Sequence, residues 1–551
     1  MAERLFGLET EYALTALDSR GSSLDREEVL GRLMQLARDK LPHLPDVHSG
    51  IFLQNGSRFY VDHGLHPELS TPECANPWDA VRYILAGERI LADLADDLAR
   101  RDRSVSQALF FRCNVDYSGT GSTWGCHESY LHRADPSVLP KQLIPHLVSR
   151  LIYTGAGGFN SLSPGIEFTL SPRVAHLVQA VSGDSTSKRG IFHTKDESLC
   201  GPGYHRLHIL CGESLCSETA TWLKVGTTAL VVALIEAGLR PGDAVELESP
   251  LEAMRSFASD TECKAIVESA SGKSLTAIAT QRHYLTQAEA HMHDAFMPPW
   301  AKEVCRQWRV ILDRLESAPE SVATTLDWGI KLALYKDRAR RRGIAWESLP
   351  HWTHVLVRLC EALKHTEYRG KSVSVEFILG KESPIADEVR QLTHFIRRKG
   401  LMWDGLSPFL ALRQELFEID TRFGQLGDKG IFAAMDHAGV LAHHFPGVDN
   451  IGHAMANPPA AGRARVRGEC IRRLAGKNGR YRCDWQGVWD RQARRKLDLS
   501  DPFEAEERWQ DLPKEDEEEA DEPDIPVRLH ERLAAMRRGV AHRIRTLWLR
   551  S

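Results

Sequence analysis

Charged residues alternate along two strand-like segments near the N-terminus, and this alternation constrains the fold more than any other feature of the sequence. The first segment carries Glu9 and Glu11, and the second carries Arg58, Tyr60 and Asp62. Successive side chains of a β-strand point to opposite faces, so residues two apart share a face. The alternation therefore predicts two strands with polar faces on which carboxylates converge.

A set of carboxylates beside an arginine is typical of a site for a metal ion and a phosphorylated ligand. Mg²⁺ takes oxygen ligands and shares them with substrate phosphates, and the planar guanidinium of Arg58 matches phosphate oxygens. A further acidic stretch with Glu68, Thr71 and Glu73 follows directly. Each segment alone is equally well explained by an amphipathic strand with a charged solvent face. Their combination favours the metal–phosphate site.

Composition and charge indicate a folded protein with no special affinity for nucleic acid. The chain has 551 residues, of which 42% are hydrophobic and 26% charged, and its net charge is −5. This length allows one large domain with appendages or several domains, and the charge provides no basic surface. The eleven cysteines contain no Cys-x-x-Cys pair, so we expect reduced, buried thiols. The apolar run at 228–235 is too short to cross a bilayer, and no signal sequence is visible. We therefore expect a cytoplasmic protein without a transmembrane segment.

Residue spacing predicts an α+β organisation, with strands and helices mixed up to about residue 240 and mostly helices from about 280 to 440. Apolar residues three and four apart indicate helices, and short apolar runs bounded by turn residues indicate strands. The predicted elements are helices at 25–41, 79–101 and 223–237, the last ended by Gly238, and strands at 190–194 and 204–211.

These segments resemble those of the prokaryotic ubiquitin-like protein (Pup) ligase and its homologue, the Pup deamidase, which share a fold with glutamine synthetase and γ-glutamyl-cysteine ligase. The resemblance continues in the family's order over most of residues 1 to about 510, through motifs at 111–116, 124–130, 205–209, 217–226, 457–459, 463–468 and 484–485. It implies a glutamine synthetase-like fold with an antiparallel sheet packed by helices. The implied units are a catalytic domain at 1–440 and a small C-terminal domain at 441–512 that completes an ATP site.

The resemblance also implies roles for individual residues, with ATP and Mg²⁺ as cofactors. The family binds magnesium at the positions of Glu9, Tyr60 and Glu68, contacts ATP at those of Arg58, Thr71 and Trp485, and places its catalytic base at that of Asp62. Trp485 taken alone is more typical of a core tryptophan than of a nucleotide contact. Weaker candidates for metal, phosphate or substrate groups are Glu11, Arg206, His208, Arg463, Arg465 and Arg467.

The activity implied is an ATP-dependent ligase. It would phosphorylate the side-chain carboxylate of the C-terminal glutamate of a small Pup-like modifier and join it to a lysine of a target protein by an isopeptide bond. A deamidase or depupylase, and a small-molecule carboxylate–amine ligase, stay open. The Pup deamidase carries a long loop after its first strand, whereas here only residues 12–54 separate the two acidic segments, and much of that stretch is a predicted helix. This difference favours the ligase.

Several parts of the sequence depart from the family pattern. Arg112 stands where the family commonly has lysine, and residues 193–204 differ from the usual motif, which leaves the identity of the modifier or the acceptor open. Residues 343–405 are predicted to be an extra helical segment. An acidic linker at 513–526 precedes residues 527–551, whose spacing predicts an amphipathic helix with an arginine-rich face. That helix either docks on the enzyme or recruits a modifier, a protein target or an anionic surface.

Overall fold

The protein combines antiparallel sheets with helices, as predicted. The structure, a computed structural model, describes residues 4–62, 64–184, 188–194, 199–477 and 479–513 and the backbone of residues 549–550. The strands are β1 (Phe6–Glu11), β2 (Ala13–Leu17), β3 (His43–Pro45), β4 (Ile51–Leu53), β5 (Arg58–Val61), β6 (Pro67–Ser70), β7 (Gln107–Phe111), β8 (Cys126–His132), β9 (Gly158–Phe159), β10 (Phe168–Thr169), β11 (Gln179–Ser182), β12 (Gly190–His193), β13 (His205–Ile209), β14 (Val267–Glu268), β15 (Ser274–Leu275), β16 (Val373–Ser374), β17 (Tyr481–Cys483), β18 (Gly487–Asp490), β19 (Arg495–Asp498), β20 (Trp509–Asp511) and β21 (Leu549–Arg550).

The helices cover the sheets and make up most of the region from residue 277 to residue 474. They are α1 (Arg26–Lys40), α2 (Pro77–Arg101), α3 (Leu139–Ser149), α4 (Leu151–Thr154), α5 (Glu218–Glu236), α6 (Pro250–Ser259), α7 (Ala277–His291), α8 (Ala301–Ser317), α9 (Asp327–Arg341), α10 (Leu349–Leu363), α11 (Val375–Leu379), α12 (Ala386–Arg398), α13 (Leu406–Phe423), α14 (Ile431–His437), α15 (Ile451–Ala456) and α16 (Gly462–Leu474).

A seven-stranded antiparallel sheet lies at the centre, in the spatial order β13-β8-β1-β6-β5-β4-β3. Side chains of β1 alternate as predicted. Phe6, Leu8 and Thr10 are buried, whereas Glu9 and Glu11 lie on the opposite, partly exposed face. The buried face packs against the main hydrophobic core, so the acidic face is directed away from the helices by the strand geometry alone.

Polar caps set where the predicted helices begin. The side chain of Asn76 accepts a hydrogen bond from the Asp79 N–H and Pro77 occupies the first turn, so α2 begins two residues before the predicted start. Ser217 caps α5 in the same way by accepting from the Ala220 N–H, which extends this helix five residues beyond the predicted start at Leu223. The helix predicted at 25–41 is confirmed as α1.

Helix α5 is the central core helix. Among the described residues it alone is long and apolar enough to cross a membrane by length and composition, and nearly all of it is buried inside the protein. All eleven cysteines are free, ten of them buried and Cys113 partly exposed, as expected for reduced thiols.

The segment at 343–405 is helical, as predicted, and contributes to a second hydrophobic core that it shares with elements before and after it. Helices α10 and α12 bury Leu356, Leu359 and Leu392 together with Phe409 of α13 and Phe159 of β9. Assignment of this segment as an addition to the catalytic domain stays a prediction.

Part of the segment predicted as the C-terminal domain packs with the main core. The ring of Phe445 stacks on Trp222 of α5 at a centroid distance of 4.0 Å, and Ala454 of α15 is buried in the same core. The smaller C-terminal core begins only with α16, where Val466 packs with β17–β19 and with Phe52 of β4. The boundary predicted at residue 440 stays a prediction.

Most of the predicted C-terminal tail lies outside the described residues. Only residue 513 of the linker predicted at 513–526 is described, and only the backbone of 549–550 from the helix predicted at 527–551. That backbone is extended and pairs in parallel with β16, so the prediction of helix is wrong at these two residues. The open edge of β16 supplies the hydrogen-bonding groups that favour a strand there.

Two buried arginines of α16 join the C-terminal unit to the central sheet. Arg463 Nε donates to Glu73 Oε1 at 2.6 Å, and Arg467, whose side chain is completely buried, donates to Glu73 Oε2. Burial alone raises the pKa of the Glu73 carboxyl, but the charges of Arg467 and Arg463 outweigh it and bring the pKa to about 2. The ion pair is therefore intact at neutral pH and weakens only in strong acid.

The ion pairs of Glu73 with Arg463 and Arg467, here called the Glu73 joint, lead to different expectations for two arginines of α16. Arg467→Ala leaves the buried Glu73 carboxylate with a single partner, and breaking a buried ion pair costs about 3–5 kcal/mol. Arg465→Ala removes a partly exposed pair with Glu469, worth less than about 1 kcal/mol, and an exposed hydrogen bond to the Ala505 carbonyl, worth about 1 kcal/mol. Urea unfolding should therefore show a much lower midpoint for Arg467→Ala than for the Arg465→Ala control. Equal midpoints would contradict the role of the joint.

Candidate active site

Strand register brings the acidic residues of three strands together. Glu11 of β1 lies opposite Glu68 of β6, and Glu68 in turn lies opposite Tyr60 of β5. On the other side of β1, Glu9 lies opposite His127 of β8. Directly opposed residues of an antiparallel pair have their Cβ atoms about 5 Å apart. The convergence predicted for Glu9, Glu11 and Tyr60 is therefore a consequence of the ladder.

His127 lies at the centre of this group. Its Nδ1 is 3.6 Å from Glu9 Oε2 and 3.9 Å from Glu68 Oε1, and its Nε2 is 3.9 Å from Glu11 Oε1. The sequence analysis did not select His127 as a site residue. The signal that finds it is the alternation Cys126-His127-Glu128 in the strand beside β1, which directs the histidine to the acidic face.

The second flank of the site comes from β13. His208 Nε2 lies 3.5 Å from Glu9 Oε2, and Arg206 Nη2 lies 3.7 Å from the same oxygen. Burial first, and then the charge of Arg206, lower the pKa of His208 to about 4, so this ring is neutral at neutral pH. Arg206 and His208, the two weaker candidates on β13, therefore lie beside the carboxylate cluster.

Two carboxylates of the site have opposite pKa shifts, since Glu9 is stabilised as an anion and Glu68 is not. Burial raises the pKa of Glu9, but hydrogen bonds and charge from His127 and His208 outweigh it and hold this pKa well below its usual range. Burial, followed by the charges of Glu9, Glu11 and Asp62, raises the pKa of Glu68 well above the usual range. The buried Glu68 Oε1 has no hydrogen-bond partner. A cation among these groups would remove the repulsion and supply the missing contact.

The donor set matches the chemistry of magnesium. The Glu9, Glu11 and Glu68 side chains offer hard oxygen atoms, and carboxylate oxygens of Glu11 and Glu68 lie within 4.8 Å of each other. The Tyr60 hydroxyl donates to Glu9 Oε1, so its nearest contact is with a carboxylate. Burial, with the charges of Glu9 and Glu68, raises the pKa of this phenol well above its usual range and keeps it neutral.

Arg58 and Asp62 lie at the edge of the cluster on the β5 side. The Arg58 guanidinium stacks over the Tyr60 ring at 3.9 Å and donates from Nε to Asp46 Oδ2 at 2.5 Å. Asp62 follows β5, and its Oδ1 accepts a hydrogen bond from the His66 N–H at 2.6 Å. The predicted common orientation of Arg58 and Tyr60 is confirmed by their stacking.

The predicted ATP contacts Thr71 and Trp485 occupy structural positions. The buried Thr71 hydroxyl accepts from the Leu8 N–H at 3.0 Å and so holds β1. The Trp485 ring packs edge-on against Phe52 at 5.0 Å, and the Arg467 guanidinium lies 4.8 Å from its centre. Trp485 is partly exposed where the C-terminal unit meets the sheet. Roles for both residues in ATP binding stay predictions.

The three arginines of α16 that the sequence analysis selected have separate partners. Arg463 and Arg467 are buried on Glu73, and these contacts account for both without a ligand. Arg465 is partly exposed and pairs with Glu469. Their predicted part in binding phosphate or a substrate carboxylate stays a prediction.

Comparison with known proteins identifies the family. The family model described as Pup-ligase protein matches residues 4–356 and 389–489. The chain belongs to the Pup-ligase family. The unmatched residues 357–388 lie inside the predicted extra segment at 343–405.

Relatives within the family include both ligases and hydrolases. A Pup–protein ligase from Acidimicrobium ferrooxidans is 30% identical over 519 residues, which cover 92% of this chain and 97% of that protein. A Pup deamidase/depupylase from Mycolicibacterium smegmatis is 38% identical over 307 residues, covering 54% of this chain and 60% of the relative. The match to this ligase covers 92% of the chain, and the match to this hydrolase covers 54% of it.

Two solved structures share the fold. The Pup ligase PafA in complex with Pup superposes with a TM-score of 0.67 at 25% identity and covers 92% of this chain and 90% of that one. The ADP complex of PafA gives 0.62 at 25% identity, with coverage of 88% and 92%. The predicted α+β class and the predicted family are confirmed.

The shifted pKa of Glu68 gives a test of the acidic cluster in this Pup-ligase family member. Because the folded-state pKa lies above the unfolded value, ionisation of Glu68 destabilises the metal-free fold as pH rises through these values. Glu68→Gln should therefore raise the metal-free melting temperature at pH 8 and weaken Mg²⁺·ADP binding by about tenfold or more.

Calorimetric titration and thermal unfolding, with and without Mg²⁺, measure the two effects separately. The melting temperatures of variant and wild type should converge as pH falls toward the ordinary carboxyl pKa. A lower melting temperature of Glu68→Gln than of the wild type at pH 8 without metal would contradict a destabilising charge on Glu68.

Proposed function

We propose that the protein is an ATP-dependent ligase that phosphorylates the side-chain carboxylate of the C-terminal glutamate of a Pup-like modifier and joins it to a lysine of a target protein. The observation that carries this proposal is the grouping of Glu9, Glu11 and Glu68 around His127 on the central sheet of a chain that aligns over 92% of its length with a Pup–protein ligase. The partners are accordingly the modifier and lysine-bearing proteins.

Glu9 and Glu68 are proposed to hold Mg²⁺ with the help of Tyr60, which keeps Glu9 in place by hydrogen bonding. Bound Mg²⁺ supplies positive charge that offsets the charge of the ATP phosphates during transfer. The unsatisfied Glu68 Oε1 and the mutual repulsion of the carboxylates support this role. His127 lies within 3.9 Å of all three glutamates and is proposed to orient them.

Two arginines flank the cluster on opposite sides and are proposed to bind phosphate oxygens. Arg58 is oriented by Asp46 and by the face of Tyr60, so its guanidinium loses little freedom when it binds an anion. Arg206 is held by donation from its Nε to Ser129 Oγ at 3.0 Å. Guanidinium groups fixed in advance stabilise the charge that develops in phosphoryl transfer without reorganisation.

Asp62 is proposed to accept the proton of the attacking lysine. A lysine amine has an ordinary pKa of about 10.4, so it arrives mainly as ammonium and must lose a proton before it attacks the activated carboxyl. The Asp62 carboxylate lies next to the acidic cluster and is oriented by the His66 N–H. A positioned carboxylate lowers the cost of presenting the neutral amine.

A hydrolase would use the same cluster with water in place of lysine, and the partial match to a depupylase keeps this alternative open. Two observations favour the ligase. A relative that aligns over 92% of the chain is a ligase, and helix α1 with short strands occupies the stretch after β1 where the deamidase resemblance implies a long loop. The cytoplasm is the proposed location, because eleven free cysteines are typical of a reducing compartment.

Replacement of Asp62 by asparagine tests the proposed base. Asp62→Asn keeps the size and removes the basicity, so conjugation should fall by about 10²–10⁴-fold while Mg²⁺·ATP binding stays close to that of the wild type. Asp39→Asn, on the exposed face of α1, is the matched control and should conjugate normally. Ordinary turnover by Asp62→Asn would exclude the assignment.

The same assay distinguishes the ligase from its alternatives. Wild-type enzyme, ATP, Mg²⁺ and a glutamate-ended Pup should yield ADP and a lysine-linked conjugate when an acceptor protein is present. Release of ammonia from a glutamine-ended Pup, or cleavage of a conjugate without ligation, would instead identify a hydrolase. Absence of both the ligation activity and the hydrolase activities would favour a small-molecule ligase.

A further inference from the structure

A second cluster of histidines and carboxylates lies where α5 begins, and it shares no residue with the candidate active site. Glu218 is the first residue of α5, Asp436 belongs to α14, and His443 and His444 follow in the loop before α15. Glu218, His443 and His444 each offer one potential ligand atom within 4.8 Å of the others. The cluster thus joins three separate segments of the chain.

His444 bridges the two carboxylates in a way that a neutral imidazole cannot satisfy. Its Nδ1 lies 2.9 Å from Glu218 Oε1 and its Nε2 lies 3.0 Å from Asp436 Oδ1. A neutral ring has a single N–H, so one nitrogen lone pair would face a carboxylate oxygen. Either a second proton or a metal ion must lie between them.

His443 provides the independent observation that favours a metal. Its side chain is only 4% exposed, and neither ring nitrogen makes a hydrogen bond, although Nε2 lies 3.1 Å from the same Asp436 Oδ1. Buried polar groups in proteins are nearly always satisfied.

Glu218 is already positioned as a carboxylate that supports a ligand. Its Oε2 accepts the Phe445 N–H at 2.8 Å, which fixes the side chain, and its Oε1 accepts from His444 Nδ1. A carboxylate that accepts the second N–H of a ligating histidine is common in protein metal sites. This arrangement leaves His444 Nε2 facing Asp436.

We propose that His443, His444 and the carboxylates of Glu218 and Asp436 bind a divalent transition-metal ion of the zinc class. Two imidazoles with carboxylates suit Zn²⁺ and its neighbours, whereas Mg²⁺ and Ca²⁺ require an all-oxygen shell. Asp436 and His444 are accessible from solvent, which gives the ion a path of entry. The ion would fasten the start of α5 to α14 and to the loop at 441–446.

Zinc titration of the tag-free full-length enzyme, saturated with Mg²⁺ and ADP to occupy the active site, tests the proposal. The test variant is His444→Ala, and the matched control is His437→Ala, because the two side chains are 63% and 62% exposed. Wild type and His437→Ala should bind one Zn²⁺ with equal affinity and gain thermal stability from it. His444→Ala should bind at least about tenfold more weakly.

Replacement of zinc by Co²⁺ adds a spectroscopic check, since ligation by imidazole gives visible absorption bands that should be lost in His444→Ala alone. Circular dichroism confirms that both variants are folded. Unchanged Zn²⁺ affinity in His444→Ala, an equal loss in His437→Ala, or no binding to the wild type would each overturn the proposal.

Discussion

Mutual repulsion among the carboxylates of Glu9, Glu11 and Glu68 is the constraint on which the rest of the site depends. Backbone ladders hold these groups on one face of the sheet, where burial first and then the repulsion raise the pKa of Glu68. The apolar face of β1 opposes the repulsion, because Phe6 and Leu8 are buried in the core around α5. A rigid sheet can therefore keep a cation site assembled in advance, and the energetic cost of assembly is met by the core beneath it.

The ion pair of Glu73 extends this organisation to the C-terminal unit. Glu73 follows β6, which carries Glu68, and it is held by Arg463 and Arg467 of α16. Arg467 also lies 4.8 Å from the centre of the Trp485 ring. A single buried carboxylate thus fixes both the position of α16 and the aromatic residue proposed to contact the nucleotide. Loss of the ion pairs between Glu73 and the arginines of α16 would separate Trp485, the proposed adenine contact, from the proposed metal site.

The sequence allowed prediction of those features that depend on local periodicity. Alternation in β1 and β5 identified the acidic face, and apolar spacing identified α1 and α2. Strand order could not be read from periodicity, because the neighbours of β1 are β6 and β8, which lie about 60 and 120 residues away. The sequence analysis missed His127 for this reason, because its contact with Glu9 becomes evident only when β8 is known to pair with β1. The cluster at Glu218 and His443 likewise joins residues that only tertiary packing brings together.

Transfer of labelled oxygen tests the central claim most directly. A Pup-like modifier whose terminal glutamate side-chain carboxylate carries ¹⁸O is incubated with enzyme, Mg²⁺, ATP and an acceptor protein, and the released phosphate is examined by mass spectrometry. If the carboxylate is phosphorylated before lysine attacks, each phosphate released with a conjugate should carry one ¹⁸O atom. Conjugation that releases only unlabelled phosphate would contradict the account.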